Sequence, residues 1–497
     1  MKHVLLITAY DQPGYLLEHL WAYDHDNDFR VYIHWDRKTL ADCRLEDFRH
    51  HPSVRWIESL YPVNWGGRNL LASMLELCRA ALADTQDVEE CFFHLLSGSD
   101  LLVRPVEELK RFFSAHPQEG FVDYFPLPDP RWDGGGLARL KWRYPLDHWD
   151  IRHKDQAAVY DRYMRMQFRC GTKRPLPDIP LYGGSCWCSL PRYMAAYWAE
   201  HADDNGLFQR MKDVYAPEEI HLPTVLLNAP FASRVRRTNL RYICWDYGHR
   251  GTPAVLEPYD LPRIEHSDAV WSRKALSGRS DDVIQYYKWL DALPSFDDSD
   301  NPLDVRLMEL ASYLREHTAS CPLPGLMNGK MGAILFLFCE GRVLGDAPSV
   351  QSAHALLKDA VARRKELVSA DFHNGTFGFA YALGWLFKHG FVEEDEVGKV
   401  LVDFDGKCRE ALSDPSFRAY ANDAFWARYY GCSLYADLRN LLSGYSLRRI
   451  EASTLYAWMK CGGQPFSRRS IGLSGLAGRG YGWLREGYPS LTPELFD

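Results

Sequence analysis

His3-Val4-Leu5-Leu6-Ile7-Thr8-Ala9-Tyr10 is an apolar run that turns polar at Asp11. It is too short for the core of a signal peptide or for a membrane span, so it reads as a buried first strand. Runs of the same kind follow at Arg30–Trp35, Ser53–Ile57, Cys91–Ser97 and Gly120–Phe125, separated by stretches with helical spacing such as Leu70–Leu82. Strands alternating with helices predict an α/β domain around a mainly parallel sheet.

Pro126 to Gly183 has no clear period and is rich in Arg, Trp, Tyr and Gly, as in Arg131-Trp132-Asp133-Gly134-Gly135-Gly136 and Lys141-Trp142-Arg143-Tyr144. Irregular stretches of this length in a compact protein usually carry function, which predicts active-site loops with short helices. A strand is expected at Leu181–Leu190, helical segments at Pro191–His201 and Pro217–Leu227, and a strand at Leu240–Trp245. The polar stretch Ser295-Phe296-Asp297-Asp298-Ser299-Asp300-Asn301-Pro302 sets the boundary, with residues 1–295 as the α/β domain, 296–302 as linker and 303–497 as an all-helical domain. In the last, one phrase recurs: Asn328-Gly329-Lys330-Met331-Gly332, Asn374-Gly375-Thr376-Phe377-Gly378 and Ser474-Gly475-Leu476-Ala477-Gly478 each precede an apolar or helical run, with Tyr430-Gly431-Cys432 as an eroded copy. This predicts repeated helical hairpins whose glycines let helix termini approach neighbouring backbone.

The whole chain has 497 residues, so at least two domains are expected; 46% apolar and 25% charged residues exclude disordered, collagen-like and disulfide-stapled classes. A net charge of −8 without any long run of Lys or Arg argues against a nucleic-acid partner. The 16 Trp and 28 Tyr supply flat amphipathic faces that suit sugars as well as cores. Twelve Cys without a paired ligand set read as reduced thiols, and the expected location is the cytoplasm, peripheral to a membrane. The spacing of Cys186 and Cys188 would set both thiols on one face of a strand, where a disulfide would be strained.

Ligands of open α/β sheets bind beyond the carboxyl ends of the strands. The residues there are Tyr10-Asp11, Asp36-Arg37-Lys38, Asn64-Trp65-Gly66-Gly67 and Ser97-Gly98-Ser99-Asp100. A transferase that held a nucleotide-sugar diphosphate through a divalent metal would place Asp-x-Asp after the fourth strand; Ser97-Gly98-Ser99-Asp100 offers one carboxylate, a poor anchor for Mg²⁺. The other Asp-x-Asp strings, at Asp24, Asp26, Asp298 and Asp403, read as solvated turns, and no zinc motif occurs. Without a metal, fixed cations must compensate a departing diphosphate, and Arg241, Arg273 and Lys274 are the candidates. Pro217-Glu218-Glu219 opens a helical segment, made short or kinked by Pro223. A carboxylate in a first turn is favoured in its ionised form by the helix dipole and can accept a proton as a base.

Together, Ile33-His34-Trp35-Asp36-Arg37-Lys38, Val63-Asn64-Trp65-Gly66-Gly67, Leu95-Leu96-Ser97-Gly98-Ser99-Asp100, Gly184-Ser185-Cys186-Trp187-Cys188, Ala216-Pro217-Glu218-Glu219, Leu240-Arg241-Tyr242-Ile243-Cys244-Trp245 and Trp271-Ser272-Arg273-Lys274 resemble the core-2/I-branching N-acetylglucosaminyltransferase and peptide O-xylosyltransferase family over residues 1 to about 290. The resemblance implies a GT-A-like, Rossmann-like α/β fold and inverting, metal-independent transfer from a UDP-sugar, with no cofactor. It implies Glu219 as catalytic base, Glu218 standing where Asp is usual, and Arg241, Arg273 and Lys274 on the diphosphate. The donor is expected to meet His34, Asp36, Trp65, Gly66, Gly67, Ser97, Gly98 and Asp100, and an acceptor oligosaccharide or glycoconjugate to meet Trp187, Glu218, Trp132 and Trp142. UDP-GlcNAc is the first choice of donor and UDP-xylose the second; a non-catalytic carbohydrate-binding scaffold is the rival reading. Ala275-Leu276 replaces the usual Phe-Asp after Arg-Lys, and Trp35 sits inside the usual His-x-Asp. Residues 303–497 resemble a shortened lanthionine synthetase C-like domain, part of an α/α toroid, in which Ser433 follows Cys432 in place of a zinc-binding His. The helical half is a candidate for homodimer formation.

Overall fold

The computed structural model describes residues 1–23, 27–86, 88, 90–171, 173–245, 252–296, 300–367, 371–393, 398, 400, 403, 459 and 470–495. Tyr430-Gly431-Cys432, Ser433, linker positions 297–299 and the Asp-x-Asp members at 24, 26, 298 and 405 lie outside the described residues. In chain order the strands are β1 (Lys2–Ala9), β2 (Phe29–Trp35), β3 (Val54–Trp56), β4 (Cys91–Ser97), β5 (Leu101–Leu102), β6 (Gly120–Phe121), β7 (Tyr124–Pro126), β8 (Tyr182–Gly184), β9 (Ser189–Pro191), β10 (Val235–Arg236), β11 (Arg241–Ile243) and β12 (Trp271–Arg273).

The chain forms two compact units, Met1–Tyr242 with Ala269–Ser277, and Ile243–Asp268 with Gly278–Asp497. The first is built on a seven-stranded sheet ordered β10-β6-β9-β4-β1-β2-β3. Strands β1 to β4 pair in parallel, whereas β9 runs antiparallel to both β4 and β6, so the sheet is mixed. Alternation along the strands sets its two faces. Val4, Leu6, Phe93 and Leu95 join Leu71, Met74, Leu75 and Cys78 of the helix Arg68–Asp84 in one core. On the other face His3 and His94 pack against Phe113, and His94 also meets Trp271. Burial holds His94 well below the ordinary imidazole range, so it serves as a neutral core residue. The register pairs Ala9 with Trp35 and Thr8 with Ser97, which sets the carboxyl ends of β1, β2 and β4 abreast.

Two expected strands are each divided between sheets. Gly120–Phe125 becomes β6 and β7, and Leu181–Leu190 becomes β8 and β9. The chains cross so closely here that a Cβ on Gly184 would lie 1.9 Å from the Asp123 carbonyl. Cys186 and Cys188 therefore occupy the bend between β8 and β9 rather than one strand face, as buried free thiols. The aperiodic stretch after Pro126 holds a 17-residue helix, Lys154–Cys170, longer than the short helices expected there.

The second unit is helical among its longer described elements and draws in more of the chain than a boundary at 296–302 allows. Asn374 Nδ2 donates to the Pro258 carbonyl at 2.7 Å, His373 stacks on Tyr259 with centroids 4.2 Å apart, and Asn328 Nδ2 reaches the Tyr286 hydroxyl at 3.4 Å. The three repeated phrases each start a helix: Lys330–Leu344, Thr376–Lys388 and Leu476–Gly487. Their loops meet one another: Asn328 N donates to Asn374 Oδ1 at 2.9 Å, and Ser474 N donates to the Met327 carbonyl at 2.7 Å. Lys330 to Gly341 are buried at every position, as befits a helix surrounded by others. Among the described residues, no helix is long and apolar enough to cross a membrane.

Candidate active site

The helix Glu218–Leu227 carries two acids in its first turn, and the loop before it is fixed from below. Gly66 has a φ of +75°, and its carbonyl accepts from Ala216 N at 2.8 Å. A Cβ on Gly67 would come within 2.4 Å of Asp147 Oδ1. Asn64 Nδ2 donates to the Leu146 carbonyl at 2.7 Å, and Trp65 meets Tyr215 edge-on at 5.4 Å. The Asn64-Trp65-Gly66-Gly67 phrase, expected at the donor, thus packs two loops together and sets where the acids begin. Gly66 is demanded by its left-handed φ and Gly67 by the Asp147 carboxylate against it.

Glu219 is half-buried, and Arg139 Nη1 donates to its Oε2 at 2.6 Å. The Arg139 guanidinium lies 3.7 Å above the Trp132 ring and 5.0 Å from that of Tyr215. Trp132 is itself held: it meets Phe125 at 5.0 Å, and a Cβ on Gly183 would stand 2.6 Å from its ring. Glu218 is buried with Oε2 unpartnered. Burial pushes both carboxyls upward, and the neighbouring Glu219 charge adds to the rise on Glu218. Arg139 and then Arg273 oppose the rise on Glu219. The helix dipole expected to keep these acids ionised is outweighed by desolvation. Cys186 adjoins the pair; burial, and then both acids, push its thiol up.

The folded chain holds the Glu218 proton more tightly than the unfolded chain, so stability falls as pH rises from the ordinary carboxylate range through the raised value. Glu218→Gln removes that loss. Its stability relative to the parent should improve with pH, by about 1–2 kcal/mol at neutrality, measured by thermal melts at several pH values; parallel curves would contradict it.

Two cations stand at the strand ends. Arg273 Nε lies 3.4 Å from Asp100 Oδ1, and its guanidinium is 4.2 Å above the Trp187 ring. Asp100 is buried and accepts from the Ser97 hydroxyl at 2.7 Å, while a Cβ on Gly98 would press on Ala9 at 2.8 Å. Ser97, Gly98 and Asp100 therefore form a tight turn that aims Arg273. Lys274 Nζ donates to the Tyr10 hydroxyl at 3.1 Å. The Arg152 guanidinium stands 5.8 Å from the same Tyr10 ring, and Asp150 accepts from both Arg152 and Lys38 at 2.8 Å. The Tyr10, Arg152 and Asp150 cluster extends the set of polar groups after β1 and β2.

Several expected contacts prove to be structural. Arg241 is buried: Nη1 donates to Ser189 Oγ at 2.8 Å and to the Asn239 carbonyl, and Nη2 donates to the carbonyls of Cys188 at 2.8 Å and Leu95 at 3.2 Å. It stacks over Trp271 at 4.6 Å, and burial lowers its pKa to about 10. Its Nη1 and Nη2 donors go to Ser189 and the backbone carbonyls of Asn239, Cys188 and Leu95, while Nε has no partner among the described residues, so it braces the sheet between β4 and β9. His34 is fully buried, with its pKa lowered to about 4 by desolvation, and accepts from Tyr61 N at 3.4 Å. Asp36 is buried too and accepts at Oδ1 from Lys38 N and Val63 N, both at 3.0 Å, which fixes the turn after β2. Trp142 meets Phe168 at 5.2 Å and Lys173 at 5.5 Å.

Arg139, Tyr215 and Arg152 escaped the reading of the sequence. The signal for Arg139 lay in Gly134-Gly135-Gly136, whose φ values of 59°, 72° and 79° make the turn that delivers the short helix Ala138–Lys141. Among the described residues, no group of three or more His, Cys, Asp or Glu side chains gathers as a metal site.

Residues 7–265 match the sequence model of the Core-2/I-Branching enzyme family. Xylosyltransferase 1 of Rattus norvegicus is 27% identical over 252 residues, 50% of this chain and 28% of the relative. The xylosyltransferase oxt of Drosophila melanogaster is 25% identical over 279 residues, 52% of this chain and 29% of the relative. A beta-glucuronosyltransferase of Arabidopsis thaliana is 23% identical over 274 residues, 51% of this chain and 56% of the relative. The chain thus spans about a quarter to a half of the length of these curated relatives.

Proposed function

Because the chain belongs to the core-2/I-branching enzyme family, we propose that it is a glycosyltransferase that moves a sugar from a UDP-sugar to a hydroxyl of an acceptor glycan or glycoconjugate, inverting the anomeric carbon without a metal. One observation carries the reading: one compact unit holds Glu219, paired with Arg139 over Trp132, together with Arg273 over Trp187, from segments distant in sequence. Glu219 takes the proton of the acceptor hydroxyl as that oxygen attacks the anomeric carbon. The bond from this carbon to the β-phosphate oxygen breaks on the opposite side, and UDP departs with its charge compensated by Arg273 and Lys274. Trp187 and Trp132, each with a guanidinium over its ring, border the place where the acceptor would lie.

The names of the relatives favour UDP-xylose over UDP-GlcNAc as donor. The convergent loops of the second unit support reading it as part of an α/α toroid, and no catalytic step is assigned to it. UDP release measured over a panel of UDP-sugars and acceptors tests the activity; transfer is expected to persist in excess EDTA. A strict need for Mn²⁺ would contradict the metal-free account, and no release with any pair would favour a carbohydrate-binding scaffold.

A further inference from the structure

Glu219 accepts from Arg139 through Oε2, while Oε1 has no hydrogen-bond partner among the described residues and is not buried. A carboxylate free to rotate would present either oxygen, and an acceptor hydroxyl must meet one in a fixed direction to transfer its proton along the line of attack. Arg139 cannot follow such a rotation easily, because its guanidinium plane is packed over Trp132 at 3.7 Å and Trp132 is wedged against Phe125 and Gly183. We propose that Arg139 is a positioning residue for the base: seated on Trp132, it holds Oε2 of Glu219 and leaves Oε1 as the atom that meets the acceptor hydroxyl. The inference rests on Glu219 being the base.

The pair has a second consequence, in the ionisation of the base. The charged and titratable groups around Glu219 are Glu218, Arg139, Arg273, Cys186 and Tyr215, with Asp147 acting on Glu218. Burial disfavours the carboxylate, and Arg139 is the larger of the two cations that oppose it. Removing that cation leaves Glu219 protonated to a higher pH, where it cannot act as a base.

The test measures initial rates of UDP formation by the full chain from about pH 5 to about pH 9. Arg139→Gln should lower kcat by about 10–100-fold and leave the donor KM within about twofold. The acid limb of its profile should move to higher pH by about one unit or more. Arg139→Lys keeps the cation without the planar fork, so the acid limb should return while kcat stays about tenfold down. Arg139→Gln with parental kcat and acid limb would overturn the proposal, as would an equal loss at every pH that Lys does not relieve. If Arg139→Gln fails to fold, Arg139→Lys decides, and parental kcat in that variant overturns it. Glu219→Gln run alongside separates the two claims: normal turnover there removes the base itself, whereas loss there with a normal Arg139→Gln removes only the positioning role.

Discussion

Glu219→Gln is expected to bind UDP as the parent does and to transfer sugar at least about a hundredfold more slowly. The amide has the size of the carboxyl and its oxygen can still accept from Arg139, which lies 2.6 Å from Oε2 in the parent. It cannot take a proton. The loss should fall on kcat, since the interaction is made as the hydroxyl attacks rather than when substrates bind. In the parent, kcat/KM should rise with pH through a value above the ordinary carboxylate range, because burial lifts Glu219 more than Arg139 and Arg273 lower it. Rates by UDP release and UDP affinity by calorimetry, on the same preparations, check both halves. Turnover near that of the parent would remove Glu219 from the chemistry.

Arg241→Met is expected to cost about 3 kcal/mol or more of stability, read from urea unfolding. The guanidinium supplies bonds to Ser189, Asn239, Cys188 and Leu95 inside the sheet. A hydrogen bond from a charged donor is worth about 1.5–3 kcal/mol. Part of the loss is cushioned, because Ser189 Oγ keeps His94 and the Cys188 carbonyl keeps Leu95 N. Lys274→Ala, whose amino group meets only the Tyr10 hydroxyl among the hydrogen bonds of the described residues, should leave stability within about 0.5 kcal/mol and weaken UDP binding. Equal stability of the two variants would contradict the bracing role given to Arg241.

The contrast between these two cations marks how far the sequence could be read. Buried strands announce themselves through apolar runs, so β1, β2 and β4 and the loops after them were legible, as was the phrase holding Glu219. Whether a late arginine is bonded into the sheet depends on how β4 and β9 lie side by side, which no local pattern records; Arg241 and Arg273 look alike in the sequence, yet Arg241 is bonded into the sheet and Arg273 lies beside Asp100 and over Trp187. His34 and Asp36 likewise sit at a strand end but turn inward to fix backbone. Helix position is visible in a sequence and burial is not, so the first-turn placement of Glu218 and Glu219 points to readily ionised acids where desolvation pushes both carboxyls upward. Arg139 stayed hidden in a stretch without period, since its placement depends on three consecutive glycines in the left-handed region. The helical repeat was legible in its glycines, but the residues that join its unit from 243–268 and 278–295 were not, because their attachments run through Pro258, Tyr259 and Tyr286.

A crystal structure of the chain with UDP tests the central claim most directly. The pyrophosphate should lie within about 3 Å of the side-chain nitrogens of Arg273 and Lys274, with no metal between phosphate and protein, and Glu219 should face the open side of the position vacated by the sugar. A pyrophosphate remote from both cations, or held through a metal on carboxylates, would contradict the account.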